Sequence, residues 1–214
     1  RGGAETLTRV YFARNRIGQM SLADAEIFTT DGGNTQQVNL SGSGVRFTLD
    51  ADVNWRTWTR SDSRPVYLFI TNGTGVGQYR RIISYNGRDL ELDQPWAVPP
   101  DDTSTVTLCP AFTRYLVIDN EFHDGAIVQD YTWGMDWIFA GNRLARVGGI
   151  HNAGRGKIPN WYTQYFANEI MVGSSTRGPW NEQPPTDAHL QVIGDSARCA
   201  IFRQTRSAID TCIP

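Results

Sequence analysis

Apolar and polar residues alternate in five short segments that superimpose without gaps, at residues 10–17, 115–122, 137–144, 163–170 and 190–197. Their central residues are Asn15, Asn120, Asn142, Asn168 and Asp195. Three positions before the centre stand Phe12, Val117, Phe139, Tyr165 and Val192, and two positions after it stand Ile17, Phe122, Leu144, Ile170 and Ala197. Alternation across a short strand sends one such set to the interior. The central residue falls where the strand must turn, and Asn tolerates the left-handed backbone and bonds to nearby backbone groups. Asn side chains stacked in successive coils can also bond to one another. The pattern therefore predicts a structural ladder of Asn15, Asn120, Asn142 and Asn168 rather than catalytic amides.

The spacings carry the architecture. Asn120 to Asn142 is 22 residues, Asn142 to Asn168 is 26, and Asn168 to Asp195 is 27. A period in the twenties is one coil of a solenoid. No regular Leu ladder or helical pattern points to a leucine-rich repeat, so each coil is read as short strands, among them residues 125–130. Asn15 to Asn120 is 105 residues, an excess of about 80 over one coil. The excess predicts an antiparallel β insertion. Residues 45–49 alternate, 65–70 form an apolar run, and 81–85 and 88–92 flank Asn86-Gly87, a strong hairpin signal. Pro99-Pro100 and Asp101-Asp102 mark a loop before residues 105–108 lead back to the solenoid. The expected division is a first coil at 1–33, the insertion at 34–108 and the remaining coils at 109–214.

Composition narrows the partners. The 214-residue chain is 40% hydrophobic and 20% charged, with a net charge of −2, so nucleic-acid binding has no electrostatic footprint. No run of about 18 apolar residues is present to form a membrane span. The chain opens on Arg1 and shows no signal peptide, which is read as a processed chain or a fragment, with a secreted or cell-surface location expected. Cys199 and Cys212 are spaced for a disulfide that leaves Cys109 unpaired; three buried thiols are the alternative. Asn39-Leu-Ser41 and Asn72-Gly-Thr74 fit the N-glycosylation pattern.

The Asn-centred segments, with Gly77-Gln-Tyr-Arg-Arg-Ile-Ile83 and Leu92-Asp-Gln-Pro-Trp-Ala-Val-Pro-Pro100, resemble the pectate-lyase-like superfamily of right-handed parallel β-helix proteins. The likeness is to uncharacterised extracellular members with a small β insertion, and it runs from about Thr8 to Val192. It implies an all-β, right-handed parallel β-helix. Members include polysaccharide lyases, glycoside hydrolases, phage tailspikes, adhesins and structural surface proteins, and fold does not choose among them.

Candidate chemistry concentrates between Asp119 and Tyr165. The Gly-rich stretch His151-Asn-Ala-Gly-Arg-Gly-Lys157 is placed to present His151, Arg155 and Lys157 to a glycan. Asp124 stands beside a turn, and Trp161 and Tyr162 offer faces on which sugar rings stack. The competing reading is a solvated surface loop. The hydrolase signature resembling Asn-Thr-Asp, Asp-Asp, Gly-His-Gly and Arg-Ile-Lys is absent, and Asp101-Asp102 reads as turn chemistry. His123 and His151 stand at no metal-ligand spacing, so neither metal nor cofactor is expected. Two functions follow. One is a structural or adhesive extracellular module, a fibre or filament subunit that self-associates end to end through open coil edges. The other is a polysaccharide-binding protein or a polysaccharide lyase or glycoside hydrolase.

Overall fold

The structure, a computed structural model, describes residues 8–18, 27–29, 35–55, 65–125, 127–131, 133–153, 160–171, 189–193, 201–203 and 206–208. These residues are all-β. In chain order the strands are β1 (Thr8–Ala13), β2 (Arg16–Gly18), β3 (Gln36–Val38), β4 (Leu40–Ser43), β5 (Arg46–Leu49), β6 (Val66–Asn72) and β7 (Tyr79–Asn86). Then come β8 (Asp89–Leu92), β9 (Thr105–Pro110), β10 (Phe112–Ile118), β11 (Glu121–His123), β12 (Val128–Tyr131), β13 (Gly134–Met135) and β14 (Ile138–Ala140). The last are β15 (Arg143–Ala145), β16 (Gly149–Ala153), β17 (Gln164–Phe166), β18 (Glu169–Met171), β19 (His189–Ile193), β20 (Ile201–Arg203) and β21 (Arg206–Ala208).

Three sheets are parallel. The first runs β1-β10-β14-β17-β20, the second β2-β11-β15-β18-β21 and the third β12-β16-β19. From β10 to β19 the chain visits them in cyclic order, laying β10, β11 and β12, then β14, β15 and β16, then β17, β18 and β19 on the first, second and third sheet in turn. Register is strict: Phe12 faces Val117, Val117 faces Phe139, and Phe139 faces Tyr165. In the second sheet Ile17, Phe122, Leu144 and Ile170 share a column. Val117, Phe139, Tyr165, Phe122, Leu144 and Ile170 are all inaccessible to solvent. Aromatic rings continue the stacking through the interior: Tyr115 lies flat on Trp137 at 4.1 Å, and Phe139 on Tyr165 at 5.4 Å. Phe28 meets Phe122, Trp137 and Phe139 edge-on between the sheets.

Between the first two sheets the Asn side chains form a chain of hydrogen bonds. Asn120 Oδ1 accepts from Asn15 N and Nδ2, both at 3.0 Å. Asn142 Oδ1 accepts from Asn120 N (3.0 Å) and Nδ2 (2.9 Å), and Asn168 Oδ1 from Asn142 N (3.1 Å) and Nδ2 (2.8 Å). Each buried Nδ2 also donates to a carbonyl of the circuit before it: Asn120 to Phe12, Asn142 to Val117, Asn168 to Phe139. One detail of the turn differs from expectation. The left-handed residue is the one before each Asn, namely Arg14 (φ 55°), Asp119 (φ 52°), Gly141 (φ 65°) and Ala167 (φ 47°). That kink turns the strand, and the Asn beyond it is freed to point inward and bridge circuits.

The fifth segment is corrected. Leu190 pairs with Ile150 and Val192 with Asn152, so residues 189–193 belong to the third sheet. The neighbour of β17 in the first sheet is β20, with Phe202 opposite Tyr165. Alternating apolar residues suit any of the three sheets, so the pattern alone does not say which one a segment joins. Asp195 itself lies outside the described residues.

The fourth sheet is antiparallel, in the order β3-β9-β6-β7-β8-β5-β4. Its outermost strands, β3 and β4, are separated in sequence by Asn39 alone, so the sheet curls round into a barrel-like closure. Asp50 pins that corner: its carboxylate accepts from Asn39 N (2.9 Å) and Nδ2 (2.7 Å), and Asp50 N donates back to Asn39 O. These amide bonds, the Asn39 N–H first, hold the Asp50 carboxyl below its ordinary range. Phe47, Leu49, Leu68, Ile70, Leu90, Leu92, Val106 and Leu108 are buried along these strands. The uninterrupted apolar run of β6 has a two-sided explanation. Leu68 and Ile70 pair with Leu108 and Val106, whereas Phe69, on the other face, meets Trp161 of the parallel stack at 5.1 Å. The hairpin loop between β7 and β8 is Gly87-Arg88, because Asn86 still pairs with Asp89; Gly87 takes φ 58°. Asp101 Oδ1 accepts from Thr103 N (2.9 Å) and Oγ1 (2.6 Å), a side-chain-closed turn.

Candidate functional site

The described residues among those singled out, Asp124, His151, Trp161 and Tyr162, do not converge on one surface. Asp124 follows β11 and is clamped: Arg146 Nη2 donates at 2.6 Å and Arg146 Nε donates to its other oxygen, while His123 Nδ1 lies 2.8 Å away. Arg146 first, then His123, hold the Asp124 carboxyl well below the usual carboxylate range. An acid so firmly paired with a cation is a structural clasp between circuits rather than a proton donor. Similar surface pairs, Arg16 with Glu121 and Arg143 with Glu169, line the same sheet.

The surface role expected of His151, Trp161 and Tyr162 is corrected. His151 on β16 is 7% exposed and Trp161 only 1%. Trp161 is sandwiched where the barrel meets the stack, bridging Met135 by backbone and packing edge-on against Phe69. Tyr162 is half-buried, with its hydroxyl donating to Gly77 O of the barrel. Tyr79 completes this seam: its ring lies 5.8 Å from Tyr162 and its hydroxyl 3.4 Å from Asp136 Oδ2. Burial raises the Asp136 carboxyl and pushes the Tyr79 phenol up to about 12. The aromatics read as a sugar platform instead glue the two parts of the molecule together. Arg155 and Lys157 lie outside the described residues, as do Cys199 and Cys212. Cys109 is a free buried thiol, pushed up by desolvation. Asn39 and Asn72 are both exposed on the barrel.

The open surface lies elsewhere, on the barrel strands β4, β5, β8 and β7. A shallow depression of about 390 Å³ is lined there by Arg46, Thr48, Ser84, Tyr85, Asp89 and Glu91, among others. Register explains the grouping: Thr48 pairs with Asp89, while Arg46 and Ser84 both pair with Glu91. Thr48 Oγ1 donates to Asp89 Oδ1 at 2.6 Å. At its rim Tyr85, 42% exposed, stacks on Trp55 with ring centres 4.2 Å apart, and Trp55 Nε1 is fixed to Gly87 O at 2.7 Å. Sequence reading missed this pair. Tyr85 belongs to a hairpin pattern and Trp55 to a stretch thirty residues earlier; only the fold brings them together. Among the described residues, no group of three or more His, Cys, Asp or Glu is placed to hold a metal, and no helix is long and apolar enough to cross a membrane.

No family model matches the chain, and no curated protein matches it. The solved structures similar to this chain include three phage tailspikes. The gp49 tailspike of Pseudomonas phage LKA1 is 10% identical at TM-score 0.37, covering 95% of this chain and 40% of that one. The gp61 tailspike of Pseudomonas phage phi297 is 13% identical at TM-score 0.35, covering 94% and 39%. The Gp54 tailspike of Acinetobacter baumannii bacteriophage AP22, solved with capsular saccharide, is 11% identical at TM-score 0.30, covering 96% and 39%. The chain spans about two-fifths of the length of each of these tailspikes.

Proposed function

We propose that this chain is a rigid extracellular module with a structural or adhesive role. Its three parallel sheets are the faces of a right-handed parallel β-helix, and the antiparallel sheet, which runs on through Pro110 rather than ending at residue 108, is a barrel carried at its side. The observation that carries this reading is the continuous interior wiring. The same Asn bridge links consecutive circuits from Asn15 to Asn168, over a core of stacked aromatic rings. Such a core resists bending and twisting, which suits a rod or display stalk more than an enzyme that must open and close. End-to-end association of copies through strand edges of the parallel sheets is part of this reading. Electron microscopy and light scattering of the purified chain over a range of concentrations test this. Rods or concentration-dependent growth are expected, and a strictly monomeric particle at high concentration rejects stacking.

A second reading, polysaccharide binding, is favoured by the Trp55–Tyr85 pair. An aromatic face pre-fixed by a second ring and a hydrogen bond offers an apolar surface to sugar C–H groups. Binding to an array of neutral and acidic oligosaccharides is expected, with Tyr85→Ala weakening it about tenfold. Equal binding by the variant would remove the barrel face from consideration.

A further inference from the structure

Inside the parallel stack lies a buried polar cluster that the proposed function does not use. Asp130 on β12 and Asn160, just before Trp161, are fully buried. Asp130 Oδ2 accepts from Thr163 Oγ1 at 2.7 Å. Asn160 Nδ2 donates to Asp130 O at 2.7 Å and to Asn152 Oδ1 at 3.0 Å. These two bonds fix the amide orientation, because the reverse would set Asn160 Oδ1 against the carbonyl oxygen of Asp130. Two acceptors are then left without a donor, Asp130 Oδ1 and Asn160 Oδ1. Both crowd one small space: a Cβ placed on Gly134 would collide with each of them, and with no other group as closely. Facing buried oxygens that both carry only lone pairs repel and remain undersolvated. A single hydrogen between them satisfies both.

We propose that Asp130 is held as a neutral carboxylic acid whose Oδ1–H is donated to Asn160 Oδ1, so that one proton latches the third sheet to the strand entering the first. The surroundings suit this. Thr163, Asn152, Asn160 and Gly134 carry no charge, and no salt bridge to Asp130 is found among the described residues. The titratable neighbour is Tyr165 on β17, whose phenol burial holds well above its ordinary range, so it stays neutral. His151 stands in register with Gln129, one position away, and projects to the opposite face of the sheet. Burial pushes the Asp130 carboxyl up to about 7, with the Thr163 and Asn160 bonds opposing the rise.

The linkage sign follows from an acid whose folded value lies above its unfolded one. Between about pH 4 and pH 7 the folded protein holds a proton that the unfolded chain releases, so stability falls as pH rises through that window and levels off above it. Denaturant unfolding of the full chain, at about pH 5 and about pH 8, reads this directly. The wild-type midpoint is expected to be lower at the higher pH. Asp130→Asn supplies a permanent N–H donor at the same place, so it is expected to fold and to lose most of that difference. Infrared difference spectra between the two proteins at the lower pH should carry a protonated-carboxyl C=O band present only in the wild type. A variant that fails to fold, a variant that keeps the full pH dependence, or a wild type without the band overturns the latch.

Discussion

Asn142→Ala is expected to lower the unfolding free energy by about 4 kcal/mol, since each buried polar group stripped of its partner costs roughly 1–3 kcal/mol. Asn142 is buried, and it serves both neighbouring circuits at once. Its Oδ1 takes two donors of Asn120, and its Nδ2 supplies Val117 O and Asn168 Oδ1. Alanine removes all four contacts and puts nothing in their place. Asn15→Ala is the internal control. Asn15 has the same chemistry but is exposed, so water replaces what is lost, and a cost of about 1 kcal/mol or less is expected. Urea unfolding with an unchanged m-value would report the two losses cleanly. Equal losses at the two positions would mean that the ladder contributes little beyond its turns.

Trp137→Ala should cost about 4 kcal/mol, in the range of large aromatic deletions from a core. Trp137 is completely buried, stacked flat on Tyr115 and tilted against Phe139, with Phe28 at its edge. Its Nε1 donates to Phe112 O at 2.8 Å, a contact the variant also loses. Surrounding rings belong to different circuits held by separate ladders, which limits collapse into the cavity. Thermal unfolding and a near-ultraviolet dichroism signal from the stacked rings check this. A loss below about 1 kcal/mol would show that the interior is loosely packed and repacks freely.

The repeat was legible because a turn that must recur in every circuit uses the same side chain each time, and Asn120, Asn142 and Asn168 stand in the sequence at coil-length spacing. The barrel was legible as an excess of length with its own alternation, as in Arg46–Leu49. What local pattern could not reveal was contact between distant segments. Trp161 and Tyr162 look like a surface platform until Phe69, Gly77 and Tyr79, some ninety residues earlier in the chain, cover them. His151 follows the same logic, since a polar residue in a Gly-rich stretch gives no local sign of burial. Leu190 pairs in the third sheet rather than the first because apolar alternation carries no label for which sheet it belongs to.

The barrel's two ends have a bearing on how such a molecule can be rebuilt. β3 and β9 run side by side, with Gln36 opposite Leu108 and Val38 opposite Val106, and β9 passes into β10 through Ala111 alone. Chain enters and leaves this lobe at one doorway. The parallel stack on either side closes directly, β1 upon β10, as though nothing stood between them. Whatever is spliced into that doorway must therefore do more than span the gap: it must also cover Trp161 and Tyr162, as Phe69, Gly77 and Tyr79 do now.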